Sequence, residues 1–326
     1  MKTRVTGLLM IILALFLPPF AAGVGQAENV PRVGVVLQGG PYYAILDGLR
    51  EGLKAVGLED GQRVALVVRD AKGNVKAAET AAQALEQEGV GLIVSITTSV
   101  SLAVKRATTQ VPIVFVAGTD PVAMGLVQSI AKPGGRVTGV DFLSSDLTAK
   151  RLEILKELLP KLHRVIAFYN PNNPVAQAAA RSALEAGQKL RVEFMDRPVL
   201  SVEALRAAVR ELKAERADAY FFLSDATVTS QAQVILDAAN AVRLPTMAYA
   251  HDFATKGALV SYGVHYRELG RQVAAYVQRI LAGTSPRDLP VQRVDRLALV
   301  VNLRTAKALG LKIPQSILLR PDEVIQ

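Results

Sequence analysis

The sequence predicts an α/β protein built from two similar three-layer domains. Three observations carry this. The chain has 326 residues, beyond the ~250–300 residues at which a single core usually stops growing. Its short apolar runs are rich in Val and Ile and unbroken rather than alternating, as strands covered on both faces require. Longer stretches of helical period separate them, the pattern of parallel βαβ units with right-handed crossovers.

Residues 33–37 (VGVVL) read as the first buried strand. Leu46, Leu49, Leu53 and Val56 then recur at i, i+3, i+7 and i+10, one face of a helix. A strand at 64–68, a helix over 74–88, a strand at 91–94, a helix near 99–106 and a strand at 112–116 follow. A helix near 123–131 and a strand at 137–142 close the first unit. The pattern restarts with a helix carrying Leu152, Leu155 and Leu159 and ending at Pro160. Strands are expected at 165–168, 191–194, 219–223 and near 246–248, with helices between them. The two units open alike: a strand, a loop (Gly39-Gly40-Pro41 or Asn170-Pro171-Asn172-Asn173-Pro174), a helix and a Val-rich strand. The end departs from this order, with a strand at 258–262, a helix striped by Leu269, Val273, Tyr276, Val277 and Ile280, a polar linker at 283–290, a late strand at 297–301 and a short helix at 303–309. A strand arriving so late must enter a sheet already built, so the chain is expected to recross between the domains.

Residues 1–27 read as a cleaved signal peptide. Lys2 and Arg4 precede an apolar run from Leu8 to Leu17, shorter than the ~20 residues of a membrane span, and Gly25-Gln26-Ala27 offers small residues for cleavage. The mature protein is therefore expected to be soluble and exported. The chain has no Cys, which excludes disulfides, thiolate metal sites, thiol nucleophiles and a lipoprotein anchor. Three His without close spacing make a metal site an unfavoured reading, and none is expected. The net charge of +9 comes from basic residues dispersed beside acidic ones, a solvated helix face with no nucleic-acid signature.

In open parallel sheets ligands bind beyond the carboxyl ends of the strands. The loops there concentrate polar and aromatic residues: Tyr42 and Tyr43; Thr97, Thr98 and Ser99; Asp120; Tyr169, Asn170 and Asn173; Ser224 and Asp225; Tyr249, His251 and Asp252. Each has a plain alternative as a helix cap or turn; recurrence at equivalent ends of both halves favours a cleft. Hydroxyls and N–H groups at Thr97–Ser99 suit a carboxylate. Asp120 and Asp225 suit an ammonium. Tyr42, Tyr43, Tyr169 and Tyr249 suit a flat side chain. A small zwitterion fits this set, as does a polar neutral ligand. No hydrolase elbow, Walker loop, zinc-protease or dinucleotide motif occurs. No enzyme activity and no cofactor are expected; a hydrolase using Asp120 and Asp225 is the remote alternative.

Several segments together resemble the ABC-transporter substrate-binding proteins of the tryptophan and aromatic amino-acid type. They are GGPYYAILDGLREGL (39–53), IVFVAGTDPVAMGL (113–126), RLEILKELLP (151–160), YNPNNP (169–174), SYGVHYRELG (261–270), VNLRTAKALGLKIP (301–314) and PDEVI (321–325). The resemblance implies a periplasmic binding protein type I fold, two Rossmann-like lobes joined by three hinge crossings near 142–146, 249–252 and 283–290. It divides the chain into 28–142 plus 250–284 and 143–249 plus 285–326. It implies a monomeric receptor that closes on a small amino-acid-like solute and serves a membrane permease and its ATPase. A receptor feeding a signalling kinase is the alternative. By position, Thr98 and Asp120 would come from the first lobe, and Tyr169–Asn173, Asp225 and the 249–252 segment from the second lobe or hinge.

Overall fold

The computed structural model describes residues 30–142, 144, 147–213, 215–294 and 296–326. The expected signal peptide lies outside the described residues. The first lobe contains β1 (Arg32–Leu37), α1 (Tyr43–Ala55), β2 (Ala65–Asp70), α2 (Val75–Gln87), β3 (Leu92–Ile96), α3 (Thr98–Ala107), β4 (Ile113–Ala117) and β5 (Val137–Asp141). The second contains α4 (Thr148–Leu158), β6 (Arg164–Tyr169), α5 (Pro174–Leu190), β7 (Glu193–Pro198), α6 (Val202–Arg210), β8 (Ala219–Phe221), α7 (Ala226–Thr229), α8 (Ala232–Ala241), β9 (Thr246–Ala250), α9 (His251–Thr255) and β10 (Val260–Val264). The chain then runs through α10 (Tyr266–Leu281), β11 (Gln292–Arg293), β12 (Ala298–Asn302), α11 (Leu303–Leu309), α12 (Gln315–Leu318) and β13 (Glu323–Ile325).

Two sheets result, ordered β11-β5-β4-β3-β1-β2 and β13-β12-β10-β9-β8-β6-β7. All pairings are parallel except β10 with β12. The central strands β3 and β4 are buried at every residue, whereas the edge strand β2 is half-buried throughout. This is the covered-sheet arrangement that the unbroken apolar runs require.

The late elements fix where the chain crosses, and two crossings differ from expectation. β10 pairs with β9, so residues 250–264 stay in the second lobe. The helix α10 instead packs on α1, β4 and β5. The second crossing therefore lies at His265 rather than at 249–252. β11 pairs with β5 in the first sheet and β12 with β10 in the second, so the third crossing follows Arg293 rather than 283–290. Strand pairing decides both: each strand enters the sheet edge left open, whatever the polarity of its linker. The expected helix near 123–131 is a run of turns. Asp120 accepts from Val122 and Ala123 N–H in a local turn, and Gly125 (φ 69°) breaks any helix that would follow.

The α1–α10 contact anchors the second crossing. Cβ atoms on Gly48 or Gly270 would overlap the carbonyls of Arg267 and Ile45, so only glycine allows these helices so close. Glu51 of α1 accepts from Arg267 and Arg271 of α10 at 2.7 Å. One apolar cluster continues from the first lobe into the second through Tyr42, Phe142, Tyr249 and Tyr266.

Candidate functional site

The carboxyl ends of the strands of both sheets face each other across a cleft, and the lobes touch across it. The Tyr42 hydroxyl (first lobe) shares a 3.1 Å hydrogen bond with the Tyr249 hydroxyl (second lobe). Thr227 Oγ1 donates to the Gly73 carbonyl at 3.0 Å. Two adjacent cavities lie between these contacts. The larger, about 1190 Å³, is lined from the first lobe by Gln38, Asp70, Lys72 and Arg106 and from the second by Asn170, Glu203 and Arg206, among others. The inner one, about 20 Å³, is lined by Tyr42, Thr97, Thr98, Ser99, Phe142, Asn173, Val175, Ser224 and Tyr249. It has room for about one water. Ser99 and Asn173 belong to both.

The inner wall is built at helix starts. Thr97 is the N-cap of α3, with φ 94° and ψ 153°, a conformation rare for a β-branched residue. Its Oγ1 caps the Val100 N–H, and its carbonyl accepts from the Ser101 N–H and hydroxyl. The strain is held by these bonds, as is common at ligand sites. Thr98 Oγ1 accepts from the Gly118 N–H at 3.1 Å, fixing the loop after β4. Opposite, Asn173 caps α5, its Oδ1 accepting from the Val175 N–H. The first N–H groups of a helix have no partner within it and favour negative charge. Both α3 and α5 begin at this wall.

Behind it lies a hydroxyl relay: Thr229 Oγ1 and the Tyr249 hydroxyl are 2.5 Å apart, and Tyr249 meets Tyr42 in turn. Burial pushes the Tyr42 and Tyr249 hydroxyls up, so both stay protonated. Tyr266 packs against Tyr42 in a tilted pair with ring centroids 5.5 Å apart, and Phe142 meets Tyr266 in a T-shaped contact.

Of the residues the sequence points to, Tyr42, Thr97, Thr98, Asn173 and Tyr249 meet at the inner cavity, and Asn170 lines the larger one. The others lie elsewhere. Asp120 is exposed and occupied by its own turn. Asp225 is buried, but its carboxylate is spent within the protein. Oδ1 caps the Val228 N–H, and Oδ2 accepts from the Asn170 N–H at 2.9 Å and Asn173 Nδ2 at 3.4 Å. It clips the Asn-rich turn to α7, and burial pushes its carboxyl up. Neither carboxylate lines either of these two cavities. Tyr43 is 41% exposed and donates to Asp70. Tyr169 turns to Asp196 on the neighbouring strand. Asp252 accepts from the Tyr266 N–H at the second crossing.

One residue that sequence reasoning missed is Gln38. It closes the apolar strand β1, is fully buried, and donates through Nε2 to Ser99 Oγ at 3.3 Å. Its Oε1 is buried without a partner among the described residues. A polar residue ending an unbroken apolar run is the signal that could have found it.

Two α/β lobes clasping a polar cleft, with three crossings between them, define a two-lobed solute receptor of the periplasmic binding protein type I class. The family model described as ABC transporter substrate binding protein matches residues 32–325, and the chain belongs to that family. It is 28% identical over 266 residues to a tyrosine-binding protein of Clostridioides difficile, covering 81% of this chain and 76% of the relative. Among solved structures it resembles an ABC domain of Streptococcus pneumonia in complex with L-Trp (TM-score 0.80, 25% identity, 90% of this chain and 99% of that one). It also resembles a ligand-free, open substrate binding protein with adhesive properties from Clostridium difficile (TM-score 0.60, 26% identity, 91% and 99%). As a substrate-binding member of an ABC system the protein works outside the cytoplasm, in a family that binds rather than transforms its solute. No described helix is long and apolar enough to cross a membrane.

Proposed function

We propose that the protein is the periplasmic receptor of an ABC importer for an amino acid with an aromatic side chain. It is exported by residues 1–27, acts as a monomer and hands its solute to a permease. The observation that carries this is the meeting of the α3 and α5 starts with Tyr42 and Tyr249 at one wall between the lobes. The solute carboxylate sits at Ser99 and Asn173, which border both cavities, where helix N-termini favour an anion. Gln38 Oε1, buried and unpartnered, accepts from the ammonium in place of the two aspartates. The side chain occupies the larger cavity, since the inner one admits only about one water. The tyrosine-binding relative and the tryptophan complex support an aromatic side chain. Contacts from both lobes exist together only when they close, so binding shifts the open–closed equilibrium.

The test is calorimetric titration of the unfolded-and-refolded mature chain with each of the standard amino acids, alongside small-angle scattering. Tyr or Trp should bind one to one with compaction, and Gln38→Leu should weaken binding about tenfold or more, the loss of a hydrogen bond to a charged group. Binding of no amino acid, or binding without compaction, refutes the reading.

A further inference from the structure

Outside the cleft, two of the three histidines converge at the second crossing. His251 begins α9, directly after β9, and His265 is the crossing residue before α10. Their rings stack with centroids 4.1 Å apart and planes 18° from parallel. Asp252 joins them: one ligand atom from each of His251, Asp252 and His265 lies within 4.8 Å of the others. Asp252 bonds the Tyr266 N–H through Oδ2, leaving Oδ1 for another partner.

The hydrogen bonding points to a missing group of a particular kind. His251 is 8% exposed, and its Nε2 lies 2.6 Å from Glu323 Oε2 on the C-terminal strand β13. A carboxylate there holds the proton on Nε2, which leaves Nδ1 as a bare lone pair. That Nδ1 is buried without a partner, and so is Nδ1 of His265. Two buried, unpartnered imidazole nitrogens beside a carboxylate form a donor set that a cation would satisfy. A carboxylate that orients a ligating imidazole is the usual outer support of such sites.

We propose that His251, His265 and Asp252 form a binding site for a first-row divalent transition metal of the Zn²⁺ class, with Glu323 orienting His251. Imidazole nitrogens select this class over Mg²⁺ and Ca²⁺, which prefer all-oxygen sites. Drawing the three donors, now within 4.8 Å of one another, to a common ion at about 2.0–2.2 Å requires the two stacked rings to turn so that their in-plane lone pairs converge. The ion would tie the start of α10, which belongs to the first lobe, to α9 and β13 of the second. The site is separate from the solute cleft, since none of the four residues lines either cavity.

The test uses the tag-free mature chain, stripped with a chelator and titrated with ZnCl₂ by calorimetry. One-to-one binding that excess Mg²⁺ and Ca²⁺ leave intact is expected. His251→Gln and His265→Gln should each weaken it at least about tenfold, Glu323→Gln about tenfold, and His163→Gln not at all. X-ray absorption of the Zn²⁺-loaded unmutated chain should show two imidazoles and oxygen ligands, a readout independent of how the variants fold. Absence of stoichiometric binding, binding that survives in the His251→Gln/His265→Gln pair, or a shell with fewer than two imidazoles would overturn the proposal.

Discussion

Gly40 is the position where the closed arrangement can be opposed with one methyl group. Its φ is 58° and it lies in the loop after β1. A Cβ built there would stand 2.7 Å from the Ser230 carbonyl oxygen and 2.9 Å from that of Thr229, both backbone atoms of the second lobe. Carbon and oxygen do not approach so closely without repulsion, and a backbone carbonyl cannot rotate away. In Gly40→Ala the left-handed backbone costs about 1–2 kcal/mol in open and closed forms alike, so it cancels in the equilibrium between them. The clash acts on the closed form alone. Overpacking of this kind costs about 1–3 kcal/mol, which lowers the closed population, and with it solute affinity, about 5- to 150-fold. Gly39→Ala is the control: it also has positive φ (75°), but its Cβ would meet only the Asp70 carboxylate, at 3.1 Å and in its own lobe. Calorimetry gives affinity, small-angle scattering gives compaction on adding solute, and thermal unfolding reports the backbone strain. Gly40→Ala should lose affinity and compaction, and Gly39→Ala should lose stability with affinity near that of the parent. A Gly40→Ala protein that binds and compacts like the parent would refute the interlobe clasp described above.

Three further outcomes follow from the same contacts. Asp120→Ala should leave solute affinity within about twofold and cost at most about 1 kcal/mol, whereas Asp225→Ala should lower unfolding free energy by about 2–4 kcal/mol, by removing a helix cap and unpairing the Asn170–Asn173 turn; denaturant titration distinguishes them. Hydrogen bonds from Arg267 and Arg271 hold the Glu51 carboxyl down at about 2. Its folded pKa is depressed, so its contribution is complete above pH 4.5 and lost as pH falls towards 2; Glu51→Gln should flatten the melting-temperature profile in that window, and parallel profiles would contradict it. Gly270→Ala, which forces a methyl into the Ile45 carbonyl, should cost about 3 kcal/mol or more in thermal unfolding and separate α10 from α1.

The fold was legible wherever burial leaves a periodic trace. β3 and β4 are apolar because both faces are covered, and α1 and α10 carry one apolar stripe each because only one face is. The crossings were less legible. β10 and β12 look alike as apolar runs, and nothing local records that their pairing is antiparallel or that β11 joins β5. The same limit governs the site. Residue type led to Thr97, Thr98 and Asn173, which the fold brings to the inner cavity, because capping residues at strand ends also begin the helices that face the cleft. It could not separate the roles of Asp120 and Asp225, because a carboxylate that caps its own turn or helix is chemically the same residue as one that binds an ammonium. The difference lies in where its lone pairs are spent, which only the partners reveal. His251 and His265 are fourteen positions apart in sequence and stacked in space, a proximity created by β9 and β10 lying side by side.

Arg151 links the hinge to the cleft. It is 2% exposed, and no carboxylate pairs with it among the described residues. Its charge is met by carbonyls instead: Nη1 donates to Ser144 at 2.5 Å and Nε to Tyr262 at 2.7 Å, while the guanidinium lies 5.6 Å from the Tyr249 ring centroid. Burial lowers its pKa to about 10, so it remains charged at neutral pH. Ser144 lies in the first crossing, and Tyr262 is three residues before the second. One buried cation therefore holds the approach to two of the three crossings, and it does so beneath the tyrosine whose hydroxyl meets Tyr42 across the cleft. A carboxylate partner would have screened that charge locally. Carbonyls and a ring face leave it oriented by the backbone itself. The guanidinium thus ties the segments that lead into two crossings to the ring of the tyrosine whose hydroxyl meets Tyr42 between the lobes.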